Sequence, residues 1–234
     1  WQEQELSLLE GFNERNTDSF CGRKNLLENL KKHLLGNGNT HWGLVLTGES
    51  GSGKSAVFSM VNKMMQHENC FVLAHSAGIS PRAKSVTGLL RIWNLLLSNH
   101  LGIEDDNKIF SKDRGDVFFL TDIEGETKFS TTIEKLQQKF LELLRAASEQ
   151  KRVILLIDAL DRFEPTARAQ HLSWLPEVLP PNIRMLCTAV TGTESKAVQY
   201  HKGLKTENID IFAPEEAGHM LVTLCKKQHK SLPS

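Results

Sequence analysis

The residues with the strongest claim to chemistry are Gly48-Glu49-Ser50-Gly51-Ser52-Gly53-Lys54-Ser55, which match GxxxxGK[ST] at every fixed position. Three glycines cost conformational entropy, so they read as a backbone that must approach a ligand closely. Inward-turned backbone N–H groups form an anion nest, and a helix N-terminus adds partial positive charge. In this arrangement Lys54 reaches the β- and γ-phosphates of a triphosphate and the Ser55 hydroxyl ligates Mg²⁺. Ala56, next in the helix, completes the phosphate-binding run. A second group is Asp158, which ends the apolar run "VILLI". Mg²⁺ prefers hard oxygen ligands and keeps most of its water, so one carboxylate near the serine, acting through water, suffices to hold it. Asp161 is the candidate for orienting or deprotonating the attacking water.

The elements that must position these groups follow from periodicity. "GLVLT" (43–47) reads as a short buried strand, Lys54 to about His67 as the helix after it, "CFVLAHSA" (70–77) as a second strand, and "RVILLID" as the central strand of a parallel sheet. "RMLCTAV" reads as a fourth strand and "NIDIFA" as a fifth. Helices are expected over "NLLENLKKHLLGNG", "SVTGLLRIWNLLLSNHL", "TTIEKLQQKFLELLRAASEQ", "HLSWLPEVLPPN" and "GTESKAVQYHKG", and from Pro214 onward. Alternating strands and helices imply βαβ crossovers. The fold class is therefore α/β: a P-loop NTPase with a parallel five-stranded core sheet flanked by helices in three α/β/α layers, followed by the start of a helical lid. Residues 1–19 form a lead-in helix or linker, 20–205 the nucleotide-binding domain with a surface insertion at 102–130, and 206–234 the last core strand and first lid helix.

Composition narrows the partners. The 234 residues carry 28 Lys plus Arg against 28 Asp plus Glu, so no global charge draws the chain to nucleic acid or an acidic membrane. Cys21, Cys70, Cys187 and Cys225 show no CxxC spacing, and no stretch approaches the ~20 apolar residues of a membrane span. A cytoplasmic fragment of a longer protein is expected.

"FCGRKNLLENL", "LTGESGSGKSAV", "LLIDALDRF", "WLPEVLPPNIRMLCTA" and "IFAPEEAGHMLVTLCKKQHKSLP" together resemble the STAND class of signal-transduction ATPases, and within it the NACHT type. The most specific feature is the small residue after the magnesium aspartate with a second acid three places on, Asp158-Ala159-Leu160-Asp161. The resemblance implies that Phe20, Gly22 and Arg23 pack near the adenine, that Thr188 senses the γ-phosphate, and that the lid beginning near Pro214 contributes to the nucleotide site. It implies ATP or ADP with Mg²⁺ as cofactors, other domains of the parent chain as partners, and nucleotide-dependent self-association. Two departures bear on rate: Arg162 stands where many members carry another acid, and Ala189 where many carry arginine.

A GTPase would need a guanine-reading N/TKxD, and "NKMM" lacks the aspartate. The expected activity is slow, magnesium-dependent ATP hydrolysis used as a switch; the competing reading is a non-hydrolysing, nucleotide-dependent scaffold.

Overall fold

A computed structural model describes residues 1–18, 20–37, 41–103, 132–192, 197, 200–210, 217–218, 221–222 and 225. The elements are α1 (Gln2–Asp18), α2 (Lys24–Leu35), β1 (Gly43–Gly48), α3 (Lys54–Gln66), β2 (Cys70–Ser76), α4 (Val86–Leu101), α5 (Thr132–Gln150), β3 (Arg152–Asp158), α6 (Ala167–Gln170), β4 (Ile183–Val190) and β5 (Leu204–Asn208). Single 3₁₀ turns cover Arg82–Lys84 and Leu160–Arg162.

The strands pair in the order β2-β3-β4-β1-β5, every pair parallel. A parallel sheet needs crossovers that cover both faces, which is why β1, β3 and β4 are near-continuous apolar runs. Val45, Val153, Leu155, Ile157, Met185 and Cys187 enter one core with α4 and α5. Leu44, Leu46, Ile154, Leu156 and Leu186 face the other, built with α1, α2 and α3. The result is the three-layer α/β/α arrangement expected from the sequence.

The α4–α5 side is the larger core. Trp93, Phe140 and Trp174 are fully buried with ring centroids 5.7 to 5.8 Å apart, so these two tryptophans are not available to stack on bases. Asn94, buried between the two helices, donates to the Leu136 carbonyl at 3.0 Å.

Two readings of the sequence need correction. The short helix expected over "HLSWLPEVLPPN" is a series of turns; Pro176, Pro180 and Pro181 deny it amide donors, and Leu172 takes a left-handed φ of 51°. Helix α6 lies directly upstream of it. The fifth strand is Leu204–Asn208 instead of "NIDIFA", so it starts just before the expected boundary at residue 206. Of the two readings of residues 1–19, a lead-in helix or a linker, the structure has the helix, docked on the core: Leu9 is buried and Phe12 packs 6.5 Å from Phe58 of α3. The expected insertion lies outside the described residues from 104 on, as do Pro214 and most of the helices expected over 192–203 and after 214.

Truncating Phe140 to alanine removes the ring that joins α5 to both tryptophans. Phe140→Ala is expected to lower unfolding free energy by about 3–5 kcal/mol, read from the urea midpoint with an unchanged slope.

Candidate functional site

The C-terminal ends of β1, β2, β3 and β4 meet at one edge of the sheet, the place where open α/β sheets bind ligands. After Gly48 the chain turns through Glu49 and Ser50, both exposed, then through Gly51 and Gly53 at φ of 84° and 88°. Those values favour glycine, and Gly48 is held by crowding: a Cβ there would lie 2.6 Å from Ser52 Oγ and 3.0 Å from the Ile209 carbonyl. Helix α3 begins at Lys54 without a side-chain cap, so its first-turn amides remain for an anion. Ala56 is half-buried in that turn.

Lys54 folds back over the loop. Its Nζ donates to the carbonyls of Gly48 at 2.8 Å and Glu49 at 2.6 Å. The ammonium thus sits at the mouth of the amide nest, on short contacts that phosphate oxygens could replace.

Asp158 is 2% exposed and gathers hydroxyl donors. Thr188 Oγ1 donates to Oδ1 at 2.7 Å, Ser76 Oγ to Oδ2 at 2.9 Å, and Ser55 Oγ lies 3.1 Å from both oxygens. Burial pushes this carboxyl above the usual carboxylate range, the three hydroxyls pull it back, and the charge of Asp161 adds to the upward push. Among the described residues no cation pairs with it, and no cluster of three or more His, Cys, Asp or Glu is placed to hold a metal. A single carboxylate with hydroxyl oxygens fits Mg²⁺, which keeps its water and takes the rest of its shell from substrate phosphates.

Around Asp158 the chain is held in an unusual path. Ala159 has a left-handed φ of 60°, which costs a non-glycine residue roughly 1–2 kcal/mol, and its amide donates to Thr188 Oγ1 at 2.9 Å. Thr188 therefore accepts from one neighbour and donates to the other. Asp161, exposed in the following turn, accepts from the Val190 amide at 3.1 Å through Oδ1 and so ties the β3 exit to the end of β4.

Phe20 is half-buried against the α1–α3 core, and Gly22 and Arg23 both lie at positive φ, 77° and 54°. The Arg23 guanidinium donates to the carbonyls of Ser52 at 3.1 Å and Asp210 at 2.8 Å, joining the phosphate loop to the chain leaving β5. Arg162 runs beside Gly78, where an added Cβ would meet its Cδ at 3.5 Å, and Arg184, at the far end of β4, donates to the carbonyls of Pro181, Ile183 and Gly36. Arg184 thus lies at the strand end opposite the phosphate loop.

Ser76 went unread in the sequence. It ends β2 in register with Asp158, a neighbour that appears only once the strand order is known. Its predecessor His75 is structural: Nε2 meets the Ala83 carbonyl at 2.7 Å and the ring packs on Phe163.

A strand, a GxxxxGKS loop and a helix at the end of a five-stranded parallel sheet define a P-loop NTPase. More particularly, the chain belongs to the AAA ATPase domain family, whose model matches residues 19–187. It is 29% identical over 209 residues to a TPR repeat-containing protein of Dictyostelium discoideum, an alignment covering 80% of this chain and 12% of that protein. It is 24% identical over 201 residues to NACHT domain- and WD repeat-containing protein 1 of Mus musculus, covering 83% of this chain and 12% of that protein. The chain thus spans about an eighth of these relatives. Among solved structures it resembles Cdc6p from Pyrobaculum aerophilum (TM-score 0.51, 12% identity, 88% of this chain and 49% of that one). It also resembles AMPPCP-bound DnaA from Aquifex aeolicus (TM-score 0.50, 12% identity, 92% and 55%). At these identities the structural likeness establishes the fold alone. Among the described residues no helix is long and apolar enough to cross a membrane.

Burial holds the His75 pKa down at about 4, against an upward pull from its bond to Ala83. Above its unfolded value of about 6.5 the neutral ring is present in both states; as pH falls toward 4 the unfolded chain takes up the proton first, and stability drops by up to about 3 kcal/mol. His75→Gln, which keeps an amide donor for Ala83, is expected to flatten that acid limb. An acid limb as steep in the variant as in the wild type would show that His75 is not the group responsible.

Proposed function

We propose that this chain binds ATP with Mg²⁺ and hydrolyses it slowly, as the nucleotide-responsive switch of a larger NACHT-type protein. The observation that carries the reading is the meeting of Ser55, from the phosphate loop, with Asp158, from the neighbouring strand end, at 3.1 Å in a buried setting. Bound Mg²⁺ would neutralise charge on the β- and γ-phosphates. Ser55 and Asp158 would hold it, the latter through water, while Lys54 would exchange the Gly48 and Glu49 carbonyls for phosphate oxygens. Asp161 would orient water for attack on the γ-phosphorus as the bond to ADP breaks.

Slowness follows from what surrounds Asp161. The residue directly after the metal carboxylate is Ala159, with no acid to offer, and one Asp161 oxygen is committed to the Val190 amide. That commitment also favours the second reading, a nucleotide-dependent scaffold without turnover. Thr188, bonded to Asp158, would feel the γ-phosphate through that carboxylate. Phe20, Gly22 and Arg23 would line the adenine side, and Arg23 would link the loop to the lid expected from Pro214. The names of the relatives support a module joined to repeats, so the partners proposed are other domains of the same protein and further copies of it.

The test is a titration of ATP with Mg²⁺ against wild type, Lys54→Ala and Asp161→Asn, with turnover measured in parallel. Lys54→Ala is expected to weaken binding by at least about tenfold, the scale of one lost charge-assisted hydrogen bond. Asp161→Asn is expected to keep binding and lose turnover. Binding without turnover in the wild type selects the scaffold; no nucleotide binding by the wild type rejects both readings.

A further inference from the structure

We infer that Ser76 is a positioning residue of the magnesium site, fixing one oxygen of Asp158 so that the carboxylate plane faces the metal. The inference rests on the nucleotide-switch reading and concerns a residue that the phosphate-loop and strand-end motifs do not include.

A carboxylate offers about four lone-pair sites, two on each oxygen. In Asp158 three hydroxyls share them: Thr188 donates to Oδ1, Ser76 to Oδ2, and the single proton of Ser55 is split between the two oxygens. The Ser55 contact is the weakest by distance and is split between both oxygens, and Ser55 is also the residue that must turn to the metal. When it does, one site opens on each oxygen for metal-bound water. What remains is one fixed donor per oxygen, Thr188 at 2.7 Å and Ser76 at 2.9 Å.

The sheet order makes this pair symmetrical. Strand β3 lies between β2 and β4, so Asp158 is gripped from the strand on each side. Rotation about the last torsion of an aspartate is soft, and one donor alone would leave the carboxylate plane free to swing; two donors on opposite oxygens define it. Each donor is itself held. Thr188 Oγ1 accepts the Ala159 amide and so presents its proton to Asp158. Ser76 is 0% exposed and in register with Asp158, and the next amide, Ala77, donates to the Asp158 carbonyl at 3.1 Å.

Partners that orient a metal-binding group typically govern metal affinity by 10–100-fold. The experiment is a titration of Mg²⁺ at fixed fluorescent ATP analogue, with wild type, Ser76→Ala and Ser76→Cys, and the same affinities measured in EDTA. Cysteine keeps the volume and is a weak donor. The expected result is a half-saturating Mg²⁺ concentration raised about tenfold in both variants, with metal-free nucleotide affinity within about twofold of wild type. An unchanged Mg²⁺ requirement in Ser76→Ala overturns the inference, as does wild-type behaviour of Ser76→Cys, which would assign the effect to packing. Should the alanine variant fail to fold, the cysteine variant decides alone. Wild-type protein that binds ATP with no dependence on Mg²⁺ removes the inference and leaves nucleotide binding standing; wild-type protein that binds no ATP removes both.

Discussion

Asp158 is a carboxylate held almost wholly out of water with hydroxyls and, among the described residues, no cation around it, and the rest of the site is arranged by that fact. Burying a charge is expensive unless its lone pairs are met, so each neighbouring strand end must deliver a hydroxyl. Ser55 comes from the helix after β1, Ser76 from β2 and Thr188 from β4. The carboxylate therefore constrains the relative height of four strands, and a one-residue slip in any pairing would carry a hydroxyl donor away from it. The same burial would sharpen the proposed response to Mg²⁺, because in a low-dielectric setting the arrival of a divalent cation changes the energy far more than it would in water.

The loop geometry around this carboxylate stores some strain. Ala159 in a left-handed conformation and Arg23 in another are held where glycine would be easier. Each is fixed by a bond that crosses elements: the Ala159 amide to Thr188, the Arg23 guanidinium to Ser52 and Asp210. Under the switch reading proposed above, strain kept by cross-links of this kind would suit a site with two arrangements. The Arg23 link is the one that runs from the phosphate loop toward the C-terminal segment.

Much of this was legible in the sequence, and the limits have physical reasons. The phosphate loop is contiguous, so its spacing alone identified Gly48 to Ser55. The buried strands β1, β3 and β4 announce themselves because both their faces are covered. Strand β5 does not: it is an edge, only Leu204 within it is buried, and Lys205, Thr206 and Asn208 face outward, so the apolar "NIDIFA" beyond it attracted the assignment instead. The helix expected near Trp174 failed for a related reason. Leu172, Trp174 and Leu175 fill the core from turns, and their spacing mimics a helix that the prolines forbid. Ser76 and the second role of Arg23 depend on pairing between distant segments, which no local pattern carries.

The most direct measurement is a crystal structure with Mg²⁺ and a non-hydrolysable ATP analogue. Lys54 Nζ should leave the Gly48 and Glu49 carbonyls for phosphate oxygens, and Ser55 Oγ should leave Asp158 for the metal, while Ser76 and Thr188 stay on the carboxylate. A phosphate loop with Lys54 still bound to its own carbonyls, and no nucleotide beside Ser55, would contradict the assignment of this site.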